Sequence, residues 1–287
     1  MSYLIAGISV GGQYALIAIG YTMVYGILRL INFAHSDVFM VAGLIVVYAS
    51  TSMPFYISIP LTILLTVLVA FCIEKCAYKP LRSAPRMSVM ISAIGVSYLI
   101  QNIALYITGG LPKVYPQIDA LVKNVVILGA KTNVVTVITP FVVLALVIAL
   151  VLLINKTKIG MAMRASSVDF ETARLMGIKI NNVISITFII GSALAAVGSI
   201  LYFNNYPSVI PMSGAMPGLK AFVSAVVGGI GSIPGAVVGA FIIGICENLL
   251  KMVGLTAFSD AFTFALLIVI LCVKPSGIFG EKKTDKV

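Results

Sequence analysis

A chain of 287 residues that is 60% hydrophobic and only 10% charged, with a mean hydropathy of +1.13, is neither an ordinary soluble domain nor a disordered one. Its formal charge of +10 comes without a basic cluster on a soluble face, which excludes nucleic acid as a partner and leaves membrane topology and anionic membrane lipid to account for it. Cys72, Cys76, Cys246 and Cys272 form no CxxC pair or Cys/His set and read as small core residues.

The expected architecture is all-α: one polytopic transmembrane helical bundle over residues 1–287, with about eight membrane segments, one pair of them discontinuous or re-entrant. Residues 4–28 are uncharged and long enough to cross a bilayer core of about 30 Å, which takes roughly 20 helical residues. Without a basic n-region, this run is expected to stay as a transmembrane helix. Asn32-Phe33-Ala34-His35-Ser36-Asp37 follows, and it holds the chain's one histidine. It reads as a hydrogen-bonded cluster at a helix start, with Ser36 or Asp37 as N-cap, or alternatively as a gating or substrate contact. A metal site would need more ligands than lie nearby. Residues 38–73 are too long for one helix and cramped for two, so two are expected, one half-length or tilted, parting near Pro54.

Further runs follow at 87–107, 134–154, 183–201, 221–245 and 261–273. The longest external loop is 108–133, where Gly129 divides VKNVVILGAKTNVV as a strand-turn-strand would. It either caps the pathway, receives an external protein or is a solvated connector. The internal loop, 155–182, contains the polar island RASSVDFETARLMG at 164–177. Over 168–176, Phe170, Ala173 and Met176 recur at helical spacing, Asp169 is placed as N-cap and Gly177 as the stop, so a short amphipathic helix is expected.

Polar groups within apolar runs are costly in lipid and should face the bundle interior. Tyr21, Asn204, Asn205, Glu247 and Asn248 are of this kind, and Glu247 lies four residues before Lys251, the spacing of a helical ion pair. Gln13, Asn32, His35, Asp37, Gln101 and Asn102 are the candidate pathway residues. Gly228, Gly229, Gly231 and Gly235 surround Pro234 and are expected to break a helix in the bundle interior. There, half-helix ends offer free N–H and C=O groups; the alternative is close packing through the Gly235/Gly239 GxxxG pair.

Orientation follows from the basic residues. Arg29, then Lys75, Lys79, Arg82 and Arg86, then Lys156, Lys158, Arg164, Arg174 and Lys179, then Lys274, Lys282, Lys283 and Lys286 make fourteen of the 19, and one alternating topology puts them all inside, with the N-terminus out and the C-terminus in. Lys113, Lys123, Lys131, Lys220 and Lys251 are left over. No GxSxG, HExxH or phosphate-cradling GxxxxGK[ST] occurs, so neither catalysis nor ATP binding by this chain is expected, and no cofactor.

Five stretches carry a resemblance: GGQYALIAIGYTMVYGILRLINFAHSD, GMAMRASSVDFETARLMGI, GSALAAVGSIL, GGIGSIPGAVVGA and KPSGIFG. Together they resemble the membrane permeases of ATP-binding-cassette importers for branched-chain amino acids, of the LivH type. In such importers an inner loop with an EAA then Gly pattern couples to the ATPase. Glu171, Ala173 and Gly177 match that pattern, while Thr172 replaces the middle Ala and the downstream Ile-x-Leu-Pro is missing. The resemblance implies a coupling role for that loop, here Arg164, Asp169, Glu171, Ala173, Arg174 and Gly177. It also implies a second, related permease as heterodimer partner, two cytoplasmic ATPases, an external solute-binding protein and a bacterial inner membrane. Leu, Ile and Val are the implied substrates, with urea, short amides or other amino acids as alternatives. A secondary transporter or channel would show ionisable residues deep in several helices, and this chain has almost none.

Overall fold

Helix α1 (Ser2–Leu28) carries no charge and no proline over 27 residues, and one face of it is so small that another backbone can lie directly on it. That backbone belongs to α11 (Ile233–Met252): a Cβ on Gly11 would come within 2.8 Å of Phe241 Cα, and one on Gly7 within 3.0 Å of Ile245 Cα. Gly26 meets Gly231 at the other end, so the two helices run antiparallel along their whole length. This tightly packed pair is the axis of the computed structural model, which describes residues 1–280 apart from 83 and 128. Lys282, Lys283 and Lys286, used in the charge argument, lie outside the described residues.

The chain does not simply cross back after α1. Residues 29–34 fold inward, and α2 (His35–Ala49) starts with His35 against Gly20, eight residues or roughly 12 Å before the end of α1 at about 1.5 Å per residue. The N-cap of α2 is Ala34, without a side-chain cap; Ser36 instead bonds Phe33 O, and Asp37 sits in the first turn, which corrects the expectation that one of them caps the helix. Pro54 precedes α3 (Phe55–Ile73), which continues into a π turn (Glu74–Tyr78), so the 38–73 run divides as expected. Next comes α4 (Arg86–Thr108), whose far end is tied to α2 by Tyr48 OH donating to Ile107 O at 3.3 Å.

Beyond α4, β1 (Lys113–Val114), the single turn α5 (Asp119–Val122) and the hairpin of β2 (Asn124–Ile127) and β3 (Ala130–Asn133) make up the 108–133 loop. Gly129, at φ 76, turns the hairpin between Ile127 and Ala130 as read from sequence. Then α6 (Val134–Lys156) leads to α7 (Lys158–Val168) and α8 (Phe170–Leu175) at the opposite end of the bundle, and α9 (Ile180–Asn205) returns. The short strand β4 (Ser208–Val209) pairs antiparallel with β1, which draws the 108–133 loop across the hairpin end. Asn204 fastens it, accepting from Ile118 N at 3.1 Å, while Tyr115 stacks on Phe203.

The remaining helices are α10 (Ala215–Gly228), α11 and α12 (Ser259–Val273). Like α2, α10 is short and begins inside the bundle, where Gly214 and Gly218 rest on Ser36. It ends beside residues 277–280, whose Ile278 and Phe279 amides donate to Val227 O and Gly228 O, both at 2.9 Å. The 228–235 break is therefore a turn at the α7–α8 end, next to Gly26, and not a break in the interior; the helix ends at mid-depth are the starts of α2 and α10. The 217–251 segment accordingly runs down α10 and back along α11.

Seven helices among the described residues are long and apolar enough to cross a membrane. Those of α1 and α9 are mostly buried and, with α2, α10 and α11, form the core, whereas α4, α6 and α12 leave most of their residues on the outside. Tyr98, Phe141 and Ile268 lie on that outer surface, joined by Leu64 of α3, as a lipid-facing wall requires.

Candidate functional site

Two places gather the candidate residues: the α7–α8 loop, and a set of polar contacts inside the bundle. In the loop, Thr157 Oγ1 caps α7 by accepting from Gly160 N at 3.1 Å. Asp169 caps α8: its carboxylate accepts from Glu171 N at 3.0 Å and from the Thr172 hydroxyl. Those bonds, the Thr172 hydroxyl first, hold the Asp169 carboxyl below its ordinary pKa, so the cap is present at neutral pH and is lost only as pH falls below the usual aspartate range. Thr172 thus has a local task that an alanine would leave undone.

Gly177, at φ 84, ends the helix, with Ile178 N on Ala173 O at 3.1 Å and Gly177 N on Arg174 O at 3.0 Å. Capped at both ends, α8 is a defined element despite its six residues. Ala173 is buried beneath it. Met176 does not join Phe170 and Ala173 on the inner side as its spacing predicts: it is 80% exposed, and Val168 and Leu175 beside it are each 86% exposed. Three large apolar side chains project from a polar loop away from the bundle.

The loop is fixed to two helices. Arg29 donates to Ser167 O at 2.9 Å, joining it to the end of α1, and Arg164 donates to Asn155 Oδ1 at 2.8 Å, joining α7 to α6. Glu171, Arg174 and Gly177 line a cavity of about 750 Å³ between α8 and the bundle, with Tyr78, Arg82 and Lys179 on its other walls.

Inside the bundle the polar residues are paired by twos and threes. Asp37, fully buried, accepts from Ser97 Oγ at 2.5 Å and Gln101 Nε2 at 2.9 Å, so two pathway candidates from different helices do meet. Asn32 accepts from Tyr78 OH at 2.7 Å. Among the described residues the His35 side chain makes no hydrogen bond to Asp37, and its Nε2 is buried without a partner in the space left by Gly20, with Tyr21 edge-on at 5.2 Å. Gln13 donates to Leu201 O at 3.4 Å, and Asn102, exposed, donates only to Tyr98 O at 2.8 Å. Gly228, Gly229, Gly231 and Gly235 form the turn at the loop end. The candidates do not converge on one cavity.

Sequence reading missed Glu74, Ser97 and Lys220. Buried Glu74 binds Ser185 at 2.9 Å and pairs with Arg82; an acid ending an apolar run, with cations one and eight residues on, was the available signal. Lys220, left over from the charge argument, is buried between Glu247 at 3.0 Å and Asp260 at 2.7 Å. Glu247 takes the expected i,i+4 bond from Lys251 at 2.7 Å and a further one from Tyr14 OH at 3.0 Å. No group of His, Cys, Asp and Glu suited to a metal occurs among the described residues.

A bundle whose outer helices are lipid-facing, with polar pairs inside and one capped, apolar-tipped loop helix, suits a transport protein, and comparison with known families decides which kind. Residues 3–271 match the model of the branched-chain amino acid transport system / permease component family. The chain belongs to that family. It is 40% identical over 302 residues to the high-affinity branched-chain amino acid transport system permease protein BraD of Pseudomonas aeruginosa, covering 100% of this chain and 98% of that one. To LivH of Salmonella typhimurium it is 38% identical over 300 residues, and to LivH of Escherichia coli 38% over 297, each covering 98% of this chain and 96% of the relative. As a permease of this family it is a membrane transport protein, and its polar interior pairs and loop helix are to be read as parts of a transport device.

Proposed function

We propose that this permease is the membrane-spanning subunit of an ATP-driven importer of leucine, isoleucine and valine, and that α8 is the element through which a partner ATPase moves it. The observation that carries the reading is the exposure of three large apolar side chains, Val168 at the end of α7, Leu175 on α8 and Met176 at its C-cap, around a helix capped at both ends. Exposed apolar clusters on a polar loop mark surfaces that another protein covers. With no nucleotide-binding loop in this chain, the ATP has to be bound by that other protein.

In this reading two ATPases sit at the α7–α8 end, a related permease completes the membrane unit as a heterodimer, and a solute-binding protein delivers substrate at the hairpin end. The membrane is the bacterial inner membrane, with the N-terminus out and the C-terminus in, as the bias of Arg29, Arg82, Arg164 and their neighbours favours. ATP-driven closure of the ATPases displaces α8. The Arg29–Ser167 and Arg164–Asn155 bonds pass that displacement to α1 and α6, and the bundle changes which side it opens to. Glu171, Arg174 and Gly177, facing the cavity behind α8, set how the helix leans on the bundle.

The test is reconstitution in proteoliposomes of the chain with the subunits that copurify with it. Leucine uptake should require ATP and the binding protein; uptake without either sinks the reading. Leu175→Asp with Met176→Asp should release the ATPase while the permease pair stays assembled, and retention of the ATPase would remove α8 from the interface.

A further inference from the structure

The cavity of about 750 Å³ behind α8 falls within the range of small-molecule sites. Its walls are of two kinds. Leu28, Val89 and Ile184 make an apolar side continuous with the bundle, while Arg82, Arg174 and Lys179 line the other and Glu171 is the one acid there among the described residues. Arg82 engages Glu74 and Asn181 through its terminal nitrogens, so it adds positive charge to this wall while its own donors are largely committed. Arg174 and Lys179 are exposed and, among the described residues, have no acidic partner within ion-pair distance, so their charge faces the cavity uncompensated by those residues. The cavity lies where α1 and the π turn after α3 end, hence at the boundary of the membrane, and the apolar tip of α8 faces the other way.

A basic rim over an apolar wall at the end of membrane helices fits an anionic amphiphile. We propose that this cavity is a binding site for an anionic phospholipid, with the headgroup phosphate held by Arg174 and Lys179 and with an acyl chain along the Leu28–Val89–Ile184 side. A headgroup seated there props α8 from behind, so the lipid composition of the membrane would bear on the position of the loop. The site requires only that this end of the bundle lie at a membrane boundary; it stands or falls separately from the ATPase reading.

The experiment measures lipid retained by the intact purified assembly, released from nanodiscs of mixed phosphatidylcholine and phosphatidylglycerol, by native mass spectrometry, with no ATP present. The wild type should retain phosphatidylglycerol in preference to phosphatidylcholine. Each cation near a membrane surface weighs about fivefold in affinity, so Arg174→Gln with Lys179→Gln should weaken retention by about 25-fold. Lys179→Gln alone, at an exposed position where folding is not at stake, should weaken it by about fivefold. Lys156→Gln with Lys158→Gln, at the same end but off the cavity, should change nothing. Unaltered retention in the Arg174/Lys179 variants overturns the site. Equal loss in the Lys156/Lys158 pair would reduce it to a diffuse surface field, and displacement by inorganic phosphate would assign it to a free anion in place of a lipid.

Discussion

Replacing Lys220 by methionine tests the most heavily charged contact in the bundle. The lysine side chain is 8% exposed, 3.0 Å from Glu247 and 2.7 Å from Asp260, while Glu247 itself is 4% exposed. Removing one partner of a buried pair costs about 3–5 kcal/mol when the other is left bare. Here Glu247 keeps Lys251 at 2.7 Å and the Tyr14 hydroxyl at 3.0 Å, and Asp260 is half exposed, so the cost should fall to about 2–3 kcal/mol. Glu247→Gln weakens two lysines at once, but Lys220 keeps Asp260 at 2.7 Å and Lys251 is 27% exposed, so this cost too should be about 2–3 kcal/mol. At about 2–4 °C per kcal/mol, Lys220→Met and Glu247→Gln should each lower the midpoint by about 4–12 °C. The midpoint is read as loss of the detergent-solubilised assembly from its gel-filtration peak on heating. The double variant should fall short of the sum by more than about 1 kcal/mol. A midpoint within about 2 °C of wild type for either variant would refute the assignment of buried, coupled charge.

Three other perturbations have defined outcomes. Gly20→Ala places a methyl where the His35 imidazole lies and should destabilise by about 1–3 kcal/mol, with partial recovery when His35→Ala is added; heat denaturation of the two variants checks it. Tyr78→Phe removes the donor to Asn32 Oδ1 and should cost about 1–3 kcal/mol by the same measurement, because the amide oxygen is left buried and unpaired. Gly177→Val meets open space but must adopt φ 84, a strain of about 1–3 kcal/mol, so amide exchange at residues 174–178 should quicken while the assembly stays intact. Unchanged exchange there would show that α8 does not depend on its C-terminal turn.

What could be read from sequence was what local chemistry decides. The division of 38–73 into two helices followed from its length and Pro54, the β2–β3 hairpin from Gly129, and α8 from Asp169 and Gly177. The depth of a helix break is not local. Gly228, Gly229, Gly231 and Gly235 announce a turn in any setting, and only the meeting of Gly26 with Gly231 and of Gly229 with Gly280 places it at the loop end. The mid-depth start of α2 was equally hidden, because it depends on Gly20 leaving room for His35. Helical spacing grouped Met176 with Phe170 and Ala173 but carried no information about which side the bundle covers. Lys220 looked like an exception to the charge bias because its partners lie on two later elements, where spacing gives no hint of contact.

The two short helices also change how Asp37 is to be understood. A helix that begins at mid-depth leaves first-turn N–H groups where water cannot reach them. Tight turns answer part of this: His35 N bonds Asn32 O, Asp37 N bonds Ala34 O, and Ala215 N bonds Met212 O. Asp37 answers another part, since a carboxylate in the first turn offsets the positive end of the α2 dipole. The Ser97 and Gln101 donors in turn satisfy the carboxylate, so each polar group in the set is explained by the need of the one before it. A substrate ammonium reaching Asp37 would have to displace two existing donors and would strip α4 of its link to the start of α2. Any part Asp37 and Gln101 play in transport is therefore coupled to the position of α2, and a variant that weakens substrate passage at Asp37 should also loosen α2 against α4.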